Sequence, residues 1–366
     1  MEFCPRCGSE YAGNPNFCGR CGAKLSGTGV ESPQKMTGSL PILDWSKSDA
    51  HLLLLSNFLR GPSKPDYFFE KDYWQAALGE SPRQAIQRFL GEGMLVQADL
   101  AVQLTYKFKV IELKAMLKKR SLHVSGHKDD LARRLVEADP DGMKGALAGL
   151  PMLLVCSTRG CQIAGEYLAK EKVMCREAEQ QTAAYLQRGM FKEASMAVAA
   201  YEARQVFPRG FFAGGAEVHS EHYDYTRDVD ALEVIFGRTP KILGKVDEGQ
   251  LGPLRLAAGM AHLWGTNQFE EWLPLGFKSG PKMDNDAAAR MLMLLGIHEA
   301  TIAGYRRSGV VGEVEILVAR DERLCDACAS IADKRFKLDE VPELPYEHCT
   351  SETGCRCCFA PVVSRG

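Results

Sequence analysis

Glu112-Leu113-Lys114-Ala115-Met116-Leu117-Lys118-Lys119, then Leu122-His123-Val124-Ser125-Gly126-His127-Lys128, then Leu131 and Arg133-Arg134-Leu135 decide the fold of the centre of this chain. Val110, Leu113 and Leu117 recur at helical spacing and form one apolar stripe; Leu131, Leu135 and Val136 form a second. The segment between them is short and extended and holds a glycine. Residues 105–139 therefore predict two short amphipathic helices around a turn. Lys107, Lys109, Lys114, Lys118, Lys119, Arg120, Lys128, Arg133 and Arg134 stand against Glu112, Asp129, Asp130, Glu137 and Asp139, a local surplus of four positive charges in a chain whose net charge is −2. Whole-chain charge excludes a uniformly basic nucleic-acid coat and an acidic solvating tail, but it averages this basic unit away.

The quoted residues resemble a SAP motif, a small two-helix module that binds DNA. The likeness covers about 35 residues and departs at Ser121, where the family often has Gly. It implies a DNA-facing surface at the turn and the start of the second helix: Gly126, His127 and Lys128, supported by Lys118, Lys119, Arg120 and Arg133. Helix N-terminal amides and lysines contact phosphate oxygens and carry little sequence information. Binding is expected to be weak per module, to favour the DNA backbone and to fall steeply with salt.

The second unusual feature is 13 cysteines in 366 residues. Four lie in residues 1–21 and six in residues 325–358. The C-x-x-C spacings and the absence of a basic and apolar leader predict metal ligands in a reducing, cytoplasmic setting. The longest apolar stretch, Ala146–Cys156, is broken by Gly149 and Pro151 and falls far short of the roughly 20 residues that span a bilayer, so no membrane partner is expected.

At the start, Cys4-Pro5-Arg6-Cys7-Gly8 and Cys18-Gly19-Arg20-Cys21-Gly22 form two knuckles. Four thiolates suit tetrahedral Zn²⁺ with no open position, and a unit of this size needs the metal in order to fold. Residues 2–25 resemble the short zinc ribbon found at the N-termini of many bacterial and archaeal proteins. Residues 26–47, rich in Gly, Ser, Pro and Thr, predict a flexible linker.

At the other end, Cys325-Asp326-Ala327-Cys328 supplies two ligands for a second Zn²⁺. The other two come from His348, Cys349, Cys355, Cys357 or Cys358; Cys349 and Cys355 are the first choice, with Cys357 or His348 as substitutes. Adjacent Cys357 and Cys358 point in different directions, so one ion does not take both. The tail resembles phage head-morphogenesis (minor head) proteins, in which a strand leads to an Asp, a C-x-x-C pair, and a closing Pro, His and Cys-Arg-Cys. The matching residues are Asp321, Cys325, Cys328, Pro345, His348, Cys355, Arg356 and Cys357, with an insertion at 350–354 that favours Cys349 over His348. A redox role for C-x-x-C is the main rival, and it lacks βαβ surroundings.

Between these ends, Ser81-Pro82 predicts a helix start, with Ala85, Ile86, Phe89 and Leu90 on one face, so 48–104 reads as a small helical, winged-helix-like unit. Pro140-Asp141-Gly142 is expected to break off the basic unit. In 140–283, Ile163–Arg188 and Phe191–Val206 predict a helical hairpin, while 207–283 reads as Gly- and Pro-rich loops with short apolar runs. In 284–366, a helix starting near Asp284 or Asp286 and running to about Arg307 ends at Gly309, and a strand carries Val314 and Ile316.

The expected fold is multidomain and mainly α: an N-terminal zinc ribbon, a helical middle with the SAP-like hairpin, and a small α/β zinc-stapled C-terminal region. No Walker-type loop, G-x-G-x-x-G or G-x-S-x-G is present, and His219, His222 and Asp224 read as an acidic surface loop. The leading expectation is a zinc-binding, DNA-associated adaptor, with no catalytic residue assigned, that contacts proteins or itself through its helical middle. The alternatives are a phage or prophage head-assembly protein and a DNA-processing enzyme with its centre hidden in 207–320.

Overall fold

The computed structural model describes residues 44–208, 225–265, 269–279 and 283–362, and the backbone of 2–3 and 10–11. The chain divides into two compact units, at residues 1–45 and 46–366. In the first, β1 (Glu2–Phe3) pairs antiparallel with β2 (Glu10–Tyr11). The expected ligands Cys4, Cys7, Cys18 and Cys21 lie outside the described residues, as do 26–43 of the expected linker and His219, His222 and Asp224.

The second unit is mainly helical. It opens with α1 (Asp49–Ser56), α2 (Asp66–Phe69), α3 (Asp72–Leu78) and α4 (Pro82–Gly91). Ser81 caps α4 as its sequence predicts: the hydroxyl accepts from Gln84 N–H, and Pro82 takes the first position, where an N–H has no use. Ala85, Ile86 and Phe89 are buried. The following β3 (Leu95–Gln97) takes its partner from beyond the basic segment, pairing antiparallel with β4 (Leu154–Cys156), and Ser63 bridges to Leu154. The basic segment is thus an excursion between two strands of one ribbon.

The excursion consists of α5 (Leu100–Lys107), α6 (Val110–Lys119), α7 (Lys128–Ala138) and α8 (Pro140–Ala146). Pro140 does end α7, but it also begins α8, and Met143 and Leu147 return to the same core. The expected clean break is therefore a helix boundary within one packed cluster.

The rest is built on long helices. α9 (Thr158–Gln187) and α10 (Phe191–Glu202) form the expected hairpin, turning at Gly189. The expectation of loops through 207–283 does not hold for the described part, which contains α11 (Thr226–Gly237) and α12 (Glu248–Trp264). Gly249, Gly252 and Pro253 made α12 illegible. An interior Pro costs a helix about 3 kcal/mol, offset here by buried Leu251, Leu254, Ala257, Ala258, Met260 and Ala261. α13 (Asn285–Ser308) packs on α11 and α12 through Ala288, Met291 and Leu292. Asp284, the first of the two starts the sequence offers, caps it, and Gly309 closes it in the left-handed conformation where the sequence places it.

Downstream, β5 (Glu313–Leu317) is the centre of a three-stranded antiparallel sheet, flanked by β6 (Arg335–Lys337) and β7 (Cys358–Val362). Val314 and Ile316 are buried, as their alternation predicts. The short α14 (Asp326–Ala329) lies between β5 and β6 in sequence. Among the described residues, no helix is long and apolar enough to cross a membrane.

Candidate nucleic-acid interface and cysteine centre

The hairpin of α6 and α7 is held by Leu113, Leu117, Leu131 and Leu135, all fully buried with Leu104 of α5. Each buried leucine contributes roughly 1.5–3 kcal/mol. Val110, read as part of the first stripe, is instead 40% exposed beside Ile111. Both helices begin alike. The Glu112 carboxylate accepts from Lys109 N–H at 2.6 Å, and the Asp130 carboxylate accepts from His127 N–H at 3.1 Å. Acidic groups there also suit the positive ends of the helix dipoles.

The turn is built residue by residue. Leu122 N–H donates to Leu117 O and Ser121 N–H to Lys118 O, both at 3.0 Å, the paired bonds of a Schellman ending. Leu122 then packs back on the leucine core. This ending requires a left-handed residue at 121, and Ser121 has φ +56°. The departure from the family's Gly is thus a serine in a glycine conformation. Gly126, at φ +124°, lies where an added Cβ would stand 3.2 Å from Asp130 Cβ. Arg134 donates to the carbonyls of His123 and Ser125 and fixes the loop from below.

The residues expected to face DNA divide into two groups. Lys118, Lys119, Gly126 and His127 are exposed and Lys128 is half-buried; the three lysines have no carboxylate partner among the described residues. Arg133 is exposed, with Asp130 at 3.7 Å. Arg120 is committed elsewhere. Its Nη2 and Nε donate to one Asp139 oxygen at 2.6 and 3.0 Å, and its Nη1 donates to Met116 O. The hydrogen bond from Arg120, followed by that from Gly142 N–H, holds the Asp139 carboxyl below the usual carboxylate range.

The C-terminal cysteines converge. The thiols of Cys325, Cys328 and Cys349 lie within 4.8 Å of one another, and so do those of Cys328, Cys355 and Cys357. Cys328 belongs to both groups. Cys325 and Cys349 Sγ stand 3.8 Å apart, which matches the S···S edge of about 3.8 Å that Zn–S bonds of about 2.3 Å give a tetrahedral site. Cys325, Cys328, Cys349 and Cys357 line a cavity of ≈ 10 Å³, enough for about one small ion or water. Of the other candidates, His348 is exposed with its ring on Tyr346, and Cys358 is exposed; neither joins a group.

Backbone amides already point at the sulfurs. Tyr346 N–H donates to Cys355 Sγ at 3.3 Å. Burial raises the Cys325 thiol, but N–H groups of Cys328 and Thr350 outweigh it and bring Cys325 down to about 6. Burial, then the nearby Cys355, pushes Cys328 up; the Cys355 thiol, then burial, pushes Cys349 up. Crowded thiols cannot all ionise by themselves, and a bound cation removes that penalty. The donor set fits a thiophilic metal.

Three supports of this centre were not legible in the sequence. Cys355 N–H donates to Met291 Sδ of α13 at 3.2 Å, and Gly354, at φ +78°, leaves no room for a Cβ beside Met291. Arg356 grips Asp321 through two bonds of 2.7 and 2.6 Å, which holds Asp321 below the usual carboxylate range. His298 of α13 is buried and bonded to the backbone of Cys357; burial brings it down to about 4, against the pull of that bond.

Residues 107–140 match the sequence family described as SAP domain. Neither the curated proteins nor the solved structures return a match. The SAP match points to DNA binding, and the C-terminal cysteine groups could hold a metal ion.

Proposed function

We propose that this protein is a zinc-binding, DNA-associated adaptor that contacts duplex DNA through the SAP hairpin. The observation that carries the reading is the SAP match on a rigid turn whose Lys118, Lys119 and Lys128 have no carboxylate partner among the described residues. Gly126, His127 and Lys128 approach phosphates from the start of α7, and Lys118, Lys119 and Arg133 add charge around them. Arg120 braces the hairpin through Asp139. Contacts of this kind go to the DNA backbone and confer little sequence preference.

The second part of the proposal is one Zn²⁺ at each end of the chain. Cys4, Cys7, Cys18 and Cys21 bind the first. Cys325, Cys328, Cys349 and Cys355 bind the second, with Cys357 able to substitute through its approach to Cys328 and Cys355. The metals hold small domains, and the long helices between them offer surfaces to protein partners or to a second copy. Metal content and duplex binding measured on one purified sample test the reading together. Near two zinc ions per chain and salt-sensitive DNA binding are expected; zinc without DNA binding would remove the functional part.

A second reading, a structural protein of phage or prophage head assembly, is supported by one observation. Arg356 of Cys-Arg-Cys bonds Asp321, another residue of the same resemblance, beside the paired cysteines. Neighbouring portal and capsid genes would favour it, and their absence would weaken it.

A further inference from the structure

Cys156 and Cys161 stand apart from both cysteine clusters in the sequence, yet the fold brings them together. Cys156 ends β4 and is buried, its thiol donating to Leu55 O at 3.5 Å. Cys161 lies in the first turns of α9, is exposed, and has its sulfur 3.8 Å from the Cys156 carbonyl. Burial, then the nearby Cys161, pushes the Cys156 thiol up to about 12. The abrupt junction makes this possible. Ser157 caps α9 by accepting from Gly160 N–H at 3.0 Å and donates to Gly93 O at 2.6 Å, which folds the end of β4 against the helix start. An exposed thiol beside a sheltered one has the arrangement of an attacking and a resolving cysteine.

We infer that Cys156 and Cys161 form a reversible oxidation site, separate from the metal-binding cysteines, that takes hydrogen peroxide or a small organic peroxide as its oxidant. The Cys161 thiolate attacks the terminal peroxide oxygen; the O–O bond breaks, and Cys161 becomes a sulfenic acid as hydroxide leaves from hydrogen peroxide, or alkoxide from an organic peroxide. The Cys156 sulfur then attacks Cys161 Sγ, forming the S–S bond and breaking the S–O bond. The Cys156 proton goes to the departing hydroxide as water. Two thiols are oxidised, one peroxide is reduced, and an external dithiol reverses the change. The bond would staple the start of α9 to the β3–β4 ribbon.

Trypsin cuts after Arg159, between the two cysteines, so the products are distinguishable. Zinc-loaded full-length protein is treated with hydrogen peroxide, free thiols are blocked with N-ethylmaleimide, and the digest is read by mass spectrometry. The expected product joins the 145–159 and 160–170 peptides, lighter than their sum by two hydrogens, and disappears with dithiothreitol. In Cys156→Ser, Cys161 should instead be trapped as a sulfenic acid by dimedone. Cys161→Ser should leave Cys156 free to be alkylated after denaturation. The inference is overturned if wild-type Cys161 proceeds to sulfinic acid, or joins another cysteine, while Cys156 remains a free thiol. It is equally overturned if both thiols survive peroxide unchanged.

Discussion

Arg120, just past the end of α6, donates two hydrogen bonds to a single oxygen of Asp139 at the junction of α7 and α8. The other Asp139 oxygen caps α8 by accepting from Gly142 N–H at 2.9 Å. One carboxylate therefore ties three helix ends together. A guanidinium held in this way is a brace, although its position in the sequence groups it with the DNA-facing lysines. Arg120→Ala should speed amide exchange across α6 and α7 while lowering duplex affinity less than Lys119→Ala does. Hydrogen exchange and DNA titration on the same preparations check this; the reverse ranking would return Arg120 to the interface.

The same pair sets a pH dependence. Asp139 has a depressed pKa in the folded state, so its stabilisation is fully present above the ordinary carboxylate value of about 4 and is lost as pH falls through the lower folded value. The difference in urea midpoint between wild type and Asp139→Asn should be constant from neutrality to about pH 4.5 and shrink below that. Both proteins carry the same cysteine centre, so its acid sensitivity cancels in the difference.

Ser121 holds a left-handed backbone that costs a non-glycine residue roughly 1–2 kcal/mol. Ser121→Gly relieves that strain but adds freedom to the unfolded chain, so a net gain of about 0.5–1 kcal/mol is expected. Thermal melting followed by local hydrogen exchange reads it. Destabilisation would mean that the serine hydroxyl supplies something its φ angle conceals.

Cys328 belongs to both thiol groups, whereas His348 and Cys358 belong to neither. Cys328→Ser should lower bound zinc by one ion per chain and expose the β5–β7 sheet to proteolysis. His348→Ala and Cys358→Ser should keep the metal. Colorimetric zinc release with a mercurial reagent measures all three, and metal loss on changing His348 would overturn the all-thiolate assignment.

What the sequence made legible follows local physics. The cap at Ser81, the stop at Gly309 and the alternation at Val314 and Ile316 are encoded within a few residues and stand where they were read, while Asp284 and Asp286 are alternative starts of α13 that the sequence alone does not separate. The leucine stripes of the SAP hairpin were equally local. α12 was hidden because Gly249, Gly252 and Pro253 oppose a helix that only burial against α11 and α13 supports. The cysteine centre was half legible: spacing gives Cys325 and Cys328, but the approach of Cys349, Cys355 and Cys357 depends on a loop seated on Met291. The pairing of Arg120 with Asp139 and the meeting of Cys156 with Cys161 need three-dimensional proximity that no spacing rule supplies.

The central claim is that the SAP hairpin carries DNA binding, and a salt titration of wild type against Lys119→Glu/Lys128→Glu tests it most directly. Each phosphate contact contributes about 0.9 to the slope of log affinity against log salt for duplex DNA. The double variant should bind at least tenfold more weakly, with a slope shallower by about 2. Salt-sensitive binding that keeps its affinity and slope in the double variant would contradict the account and place the DNA contact elsewhere on the chain.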